Sequence, residues 1–195
     1  MSNPHFINLV PIGLTRGATL QGAYILIFRE TLGMRCMAAL VSPEEYRMVS
    51  RAMQGELSEM AMLMRQTLDT FGIRLHSVVL HNNTPHGEYR AELLLQQGAD
   101  LRHIRQSVGV GTVLALAFKA HLQVSATYFD QMTHGTAAAG DMVQVRVPIS
   151  AMDERLLKEA LDQAVASDDF EMASTLRDEL HRREASSHTS TTTAL

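Results

Sequence analysis

"MRCMAALVSPEEYRMVSRAM", residues 34–53, changes its hydrophobic period partway along, and that change decides the fold. Residues 34–41 are apolar, apart from Arg35, over the length of a strand. Ser42 then offers a side-chain oxygen, Pro43 suits a first helical position, and Glu45 stands three residues past the serine. This is a capping box with proline in its preferred place, so the spacing predicts a helix start. Tyr46, Val49 and Met53 fall on one face of that helix.

Upstream, residues 6–14 ("FINLVPIGL") and 22–30 ("GAYILIFRE") read as two more strands, the first with a proline that suits an edge or a strand start. Downstream, a second helix over 58–71 puts Met60, Met64, Leu68 and Phe71 on one side and stops at Gly72. The pattern then repeats. Residues 73–81, 88–96 and 100–107 read as strands joined by "NNTPHG" and "QGAD", and an Ala/Leu-rich helix follows over 112–121 with Thr112 as its cap. "LQVSA" reads as a short strand, "YFDQM" as a helical turn, "THGTAAAGD" as a loop and residues 142–149 as a last strand. Three strands then a helix, twice over, predict an α+β fold with a duplicated β-β-β-α domain over residues 5–149.

Beyond Pro148 the composition changes. Leu157, Ala160, Leu161 and Ala164 recur at helical spacing, and Asp168 with Glu171 reads as a second capping box. Ala173, Leu176 and Leu180 make the next apolar stripe, with Phe170 at the corner. Asp178/Arg182 and Glu179/Arg183 are i,i+4 pairs expected on the wet side. Residues 152–184 therefore predict a C-terminal antiparallel α-hairpin, too small to bury much by itself. Residues 185–195 read as a disordered tail. Charge divides at the same junction. Residues 1–150 carry 12 Lys and Arg against 11 Asp and Glu, whereas residues 151–195 carry 5 against 10. An acidic hairpin repels phosphates and suits a protein partner better than nucleic acid.

The 195 residues, 46% of them hydrophobic, suffice for one core and an appendage. A single cysteine, Cys36, excludes an intrachain disulfide framework and a Cys-rich zinc site. No run of eighteen apolar residues and no signal-like start occur, so the expectation is a cytoplasmic chain that does not enter a membrane.

The hairpin resembles the UVR motif, through which subunits of the bacterial excision-repair nuclease touch each other and which also occurs in protease adaptors and kinase-like proteins. Leu161, Ala164, Asp169, Phe170, Glu171, Ala173, Leu176, Arg177, Asp178 and Leu180 carry the resemblance. Small residues at 164 and 173 permit close helix approach. The resemblance implies a protein-interaction module in which Phe170, Glu171, Arg177 and Asp178 meet the partner. A plain hairpin capping the domain is the competing reading.

Residues 5–134 resemble the bacterial bifunctional nuclease family, whose members degrade DNA and RNA. "AYILIFRETLGMRCMAALVSPEEYRMV", "TLDTFGIRLHSVVLH", "EYRAELLL" and "VLALAFKAHLQVSA" carry this second resemblance. Two family segments are altered. Where the family has Arg-Pro-x-Thr-His-Asp, this chain has "LSEMAM" at 57–62, without His or Asp. Where the family has Arg-x-Ser-Asp-Ala, it has Gly109-Val110-Gly111-Thr112; aligned instead on Arg105-Gln106-Ser107, it has Val108 at the acid's position. No family catalytic residue carries over, and the catalytic set is unknown. A divalent metal is expected only if hydrolysis is retained.

Other chemistry-bearing residues have bland readings beside their functional ones. His76 and His81 are an odd number apart, which on a regular strand places them on opposite faces, and His86 lies in a turn. Glu88, Glu92 and His103 could meet across strands, although exposed sheet polarity is the simpler account of them. "SVGVGT" could cradle phosphate, but a tight turn capped by Thr112 suffices. Arg74, Arg90, Arg102 and Arg105 could follow a nucleic-acid backbone if their strands are neighbours. Met60, Met62 and Met64 read as adaptable packing. Three functions follow: a nuclease-family protein whose hydrolysis is weak, lost or rebuilt on other residues, a non-catalytic adaptor, or, as the weakest option, a regulator that binds nucleic acid without cutting it. The adaptor would use the sheet domain for homo-oligomerisation and the hairpin for a protein partner.

Overall fold

In the computed structural model, residues 5–16, 24–81, 90–133, 138–139, 142–143, 149, 152 and 154–189 are described. Strands β1 (Phe6–Arg16), β2 (Tyr24–Glu30) and β3 (Cys36–Val41) lead into α1 (Pro43–Met53) and α2 (Glu59–Thr70). Strands β4 (Ile73–His81), β5 (Arg90–Gln97) and β6 (Asp100–Ser107) lead into α3 (Val108–Phe118), β7 (His121–Ser125) and α4 (Ala126–Thr133). A two-residue pair, β8 (Ala138–Ala139) and β9 (Met142–Val143), precedes α5 (Glu154–Ala166) and α6 (Phe170–Thr189). The strand predicted over 142–149 is thus described only at its start, and residues 144–148 lie outside the described residues.

The fold is α+β, built on a mixed seven-stranded sheet in the order β3-β2-β1-β7-β4-β5-β6. Neighbours are antiparallel except β4 and β7. The first strand of each triplet carries an irregularity, between Pro11 and Gly13 in β1 and between Leu75 and Ser77 in β4. One face of the sheet holds the main core. Leu26, Phe28, Met37, Val78, Leu80, Leu93 and Val124 point into it and meet Val49 of α1, Leu114 of α3 and Phe129 of α4. Residues that pair directly share a face. The opposite face therefore presents Asn8, Gln123, Glu92, Leu94 and their cross-strand neighbours. No helix among the described residues is long and apolar enough to cross a membrane.

The predicted capping box is present. Ser42 accepts from the Glu45 amide, and the Ser42 amide donates to the Glu45 carboxylate at 2.8 Å. Gly72 ends α2 with φ +66, a conformation glycine adopts without a Cβ penalty.

Helix α2 differs from its prediction. Ala61 is its buried residue and Met64 and Leu68 pack on the core, but Met60 and Phe71 are 72% and 65% exposed. Arg65 donates to the Ala117 carbonyl of α3 at 3.3 Å, and the Met60–Leu63–Phe71 side faces outward.

Helix α3 begins four residues before its prediction, capped by Ser107 and not by Thr112. Thr112 is fully buried and donates to the Val108 carbonyl. Gly109 and Gly111 are helical because α3 lies hard against its neighbours. A Cβ would come 2.5 Å from Glu45 Cβ at Gly109 and 2.4 Å from Ala91 Cβ at Gly111.

Arg35, just before β3, joins distant parts of the chain. Its guanidinium bonds both Glu30 oxygens and Asp130 Oδ1 of α4, and lies 4.7 Å from the Phe129 ring centre. The Arg35 hydrogen bonds hold the Glu30 carboxyl below the usual carboxylate range.

Helices α5 and α6 share a second core of Leu156, Leu157, Ala160, Ala164, Ala173, Leu176 and Leu180. Leu40 of β3 packs against its edge. Asp168 takes a left-handed turn conformation, φ 57, and Asp169 caps α6 by accepting from the Met172 amide at 3.1 Å. The predicted Asp168/Glu171 box is thus replaced by a single Asp169 cap. Helix α6 runs to Thr189, past residue 184, and residues 190–195 lie outside the described residues.

Candidate functional site

Phosphate binding at "SVGVGT" meets a specific obstacle. The α3 N-terminus already holds an anion, because the Gly109 amide donates to Glu45 Oε1 at 3.2 Å. Glu45 thereby closes the capping box of α1 with one oxygen and neutralises the positive end of α3 with the other. A phosphate there would have to displace a built-in carboxylate. The other altered stretch, 57–62, is also structural: Ser58 caps α2 and accepts from the buried Ala61.

On the open face of β4, β5 and β6, polar groups gather only in part. His103 Nδ1 lies 3.5 Å from Glu92 Oε1. Arg90 pairs with His81, and Arg105 sits opposite Glu92. Arg74, opposite Gln96, shares this face. Arg102 pairs with buried Leu95 and therefore projects to the other face, so the predicted arginine strip is split. The irregularity in β4 makes His76 the extra residue and resets the alternation, which places Ser77, Val79 and His81 on the open face. The odd-spacing argument that separates His76 from His81 fails at that point. His86 and Glu88 lie outside the described residues. Among the described residues, no three His, Cys, Asp or Glu side chains converge to hold a metal. Cys36 is buried, and burial pushes its thiol pKa up, away from a reactive thiolate.

The outward side of α6 brings the predicted partner-binding residues together. Phe170, Glu171, Arg177 and Asp178 are all exposed, while Ala173, Leu176 and Leu180 turn inward. Spacings of i, i+1, i+7 and i+8 put the four on one helical face. Ser174 lies between them and accepts from Arg177 Nη2 at 3.4 Å. Arg177 Nε is 4.0 Å from Asp178 Oδ1, too long for a tight pair, so both keep hydrogen-bonding capacity. Phe170 is 69% exposed; it lines the surface and does not pack into the corner. Val165 and Met172, exposed near the same turn, were not singled out from sequence, because they fall off both apolar stripes.

Two charged residues predicted on the wet side of α6, Glu179 and Arg183, turn inward, with side chains 13% and 10% exposed. Arg183 is buried, bonds Glu179 at 2.8 Å and donates to the Met152 carbonyl at 2.5 Å. Arg182 pairs with Glu179 at 2.7 Å, not with Asp178. The Arg182 bond, helped by Arg183, holds the Glu179 carboxyl below the usual range despite burial. This cluster fixes the α5–α6 pair to the segment before it and leaves the Arg177/Asp178 face unencumbered.

No family model matches this chain, and no curated protein does either.

Proposed function

We propose that the chain is a non-catalytic adaptor. Its body is a duplicated β-β-β-α unit related to the bifunctional nucleases, and its α5–α6 pair is a UVR-like antiparallel hairpin that binds a protein partner. The observation that carries this reading is the division of the molecule into two cores. The helix pair has its own interior and fixed anchors, and it projects a coherent face of Phe170, Glu171, Arg177 and Asp178 that its own stability does not require. The duplication is supported by two antiparallel triplets, each with an irregular first strand, and each ending at a serine cap, Ser42 or Ser107. Loss of hydrolysis is supported by the structural use of both stretches where the family's acids stand. A second reading, nucleic-acid contact without cleavage, rests on Arg74, Arg90 and Arg105 sharing the open face of the sheet.

The test is a pair of surface variants. Arg177→Ala and Asp178→Ala should keep the parent's helical circular dichroism and weaken capture of a protein partner by about ten- to a hundredfold, corresponding to a shielded charge-assisted hydrogen bond of about 1.5–3 kcal/mol. Retention of every partner by both variants would reduce the hairpin to a cap.

A further inference from the structure

Strand β6 is an open edge. It pairs with β5 on one side, and among the described residues nothing pairs with the other. Alternate residues along its eight turn their backbone donors and acceptors to the open side, with no proline and with an unbroken β5–β6 register. Edges of this length and regularity are normally blunted or covered. Leu101 and Ile104 on it are also exposed, at 52% and 41%.

We propose that β6 joins β6 of a second copy, antiparallel, in the register that sets Ile104 against itself on the two-fold axis. A symmetric antiparallel pair requires opposed residues to share a face, which restricts the choice to a few registers. Centring on residue 102 or 105 opposes arginine to arginine, and centring on His103 sets Ile104 against Arg102. Centring on Ile104 opposes isoleucine to isoleucine, Arg102 to Gln106, Leu101 to Ser107 and His103 to Arg105, with Glu92 already beside both of the last two. Centring on Leu101 also opposes an apolar pair, but it pairs only residues 100–102 of the strand; among the registers that pair five or more residues of β6, only the one centred on Ile104 buries an apolar pair without placing arginine on arginine.

A strand pair alone falls short of the roughly 1,200–2,000 Å² of a stable interface. The exposed Met60–Leu63–Phe71 side of α2 supplies further apolar surface beside the edge. The Phe71 carbonyl accepts from the Gln97 side chain, and Gln97 pairs with Asp100 at the start of β6. The two sheets would become continuous, with both helix layers on one side. On the adaptor reading, each α5–α6 pair, seated by Leu40 on β3, then sits at a far end, roughly 60 Å from its twin at about 4.8 Å per strand. Two hairpins so placed would bind a multivalent partner with avidity.

Sedimentation velocity of the full chain, with Ile104→Arg, Ile104→Cys and Leu101→Cys, tests the interface independently of any partner. The parent should be dimeric at micromolar concentration. Ile104→Arg should weaken the dimer at least tenfold while keeping the parent's circular dichroism, since residue 104 is exposed. Mild oxidation should link Ile104→Cys into a covalent dimer, but not Leu101→Cys or the parent, whose Cys36 is buried. Several results would overturn the proposal: a monomer at every concentration, a dimer that survives Ile104→Arg, or cross-linking at 101 in preference to 104. So would a monomer that binds an alternating Glu/Val peptide along β6, because an acidic strand would then be the occupant.

Discussion

Gly111→Leu should destabilise the sheet domain by about 3 kcal/mol or more, enough to leave much of a marginally stable chain unfolded. Position 111 is where α3 comes closest to the sheet. An added Cβ would meet Ala91 Cβ at 2.4 Å and Val78 Cγ1 at 3.2 Å, and neither atom is the far end of a flexible side chain. Helix α3 must then lift away from β4 and β5, and the core contacts of Leu114 and Val108 loosen with it. Gly13→Ala is the matched control. No atom lies within 4 Å of its added Cβ, so its effect should stay within about 0.5–1 kcal/mol. Urea unfolding of the two variants and the parent compares them directly, and equal midpoints for Gly111→Leu and Gly13→Ala would contradict the close approach.

Leu176→Ala should melt the α5–α6 pair and leave the sheet domain standing. Leu176 is 2% exposed and shares a small core with the fully buried Leu157. Truncating such a leucine costs about 2–5 kcal/mol, more than a two-helix unit with so small a core can lose. Far-ultraviolet circular dichroism should show the loss of helix. The remaining thermal transition should match that of a chain truncated after Ser150, and that truncation should itself leave the sheet domain's melting temperature nearly unchanged. A single cooperative transition, lowered as a whole in Leu176→Ala, would mean that the two cores fold as one.

Most local signals in the sequence form as read, the exceptions being the Asp168/Glu171 box, displaced by the left-handed turn at Asp168, and the Asp178/Arg182 pair, replaced by Arg182–Glu179; features set by distant neighbours do not form as read. Ser42, Pro43 and Glu45 lie within four residues, and their capping box forms as read. The Leu157, Ala164, Ala173, Leu176 and Leu180 stripe likewise becomes a core, because helical spacing alone determines which side turns inward. The start of α3 was obscured because Gly109 and Gly111 look like breakers. Their cause lies in Glu45 and Ala91, far away along the chain. Met60 and Phe71 misled for the opposite reason: apolar residues at helical spacing suggest burial, but Ala61, Met64 and Leu68 take the inner side of α2. One extra residue in β4 was enough to upset the face assignment of its histidines. The shared exposure of Phe170, Glu171, Arg177 and Asp178 was legible, since they occupy what the stripe leaves over. The anchoring role of Arg183 was not, because Glu179/Arg183 has the spacing of any surface ion pair.

The central claim is that the sheet domain serves as a scaffold without hydrolysing nucleic acid. Its most direct test is the cleavage of end-labelled single-stranded DNA and RNA by the tag-free full chain, with and without magnesium or manganese. Cleavage no faster than in buffer alone is the expected result. Metal-dependent cleavage that follows the protein through purification, and that Glu92→Gln abolishes, would contradict it.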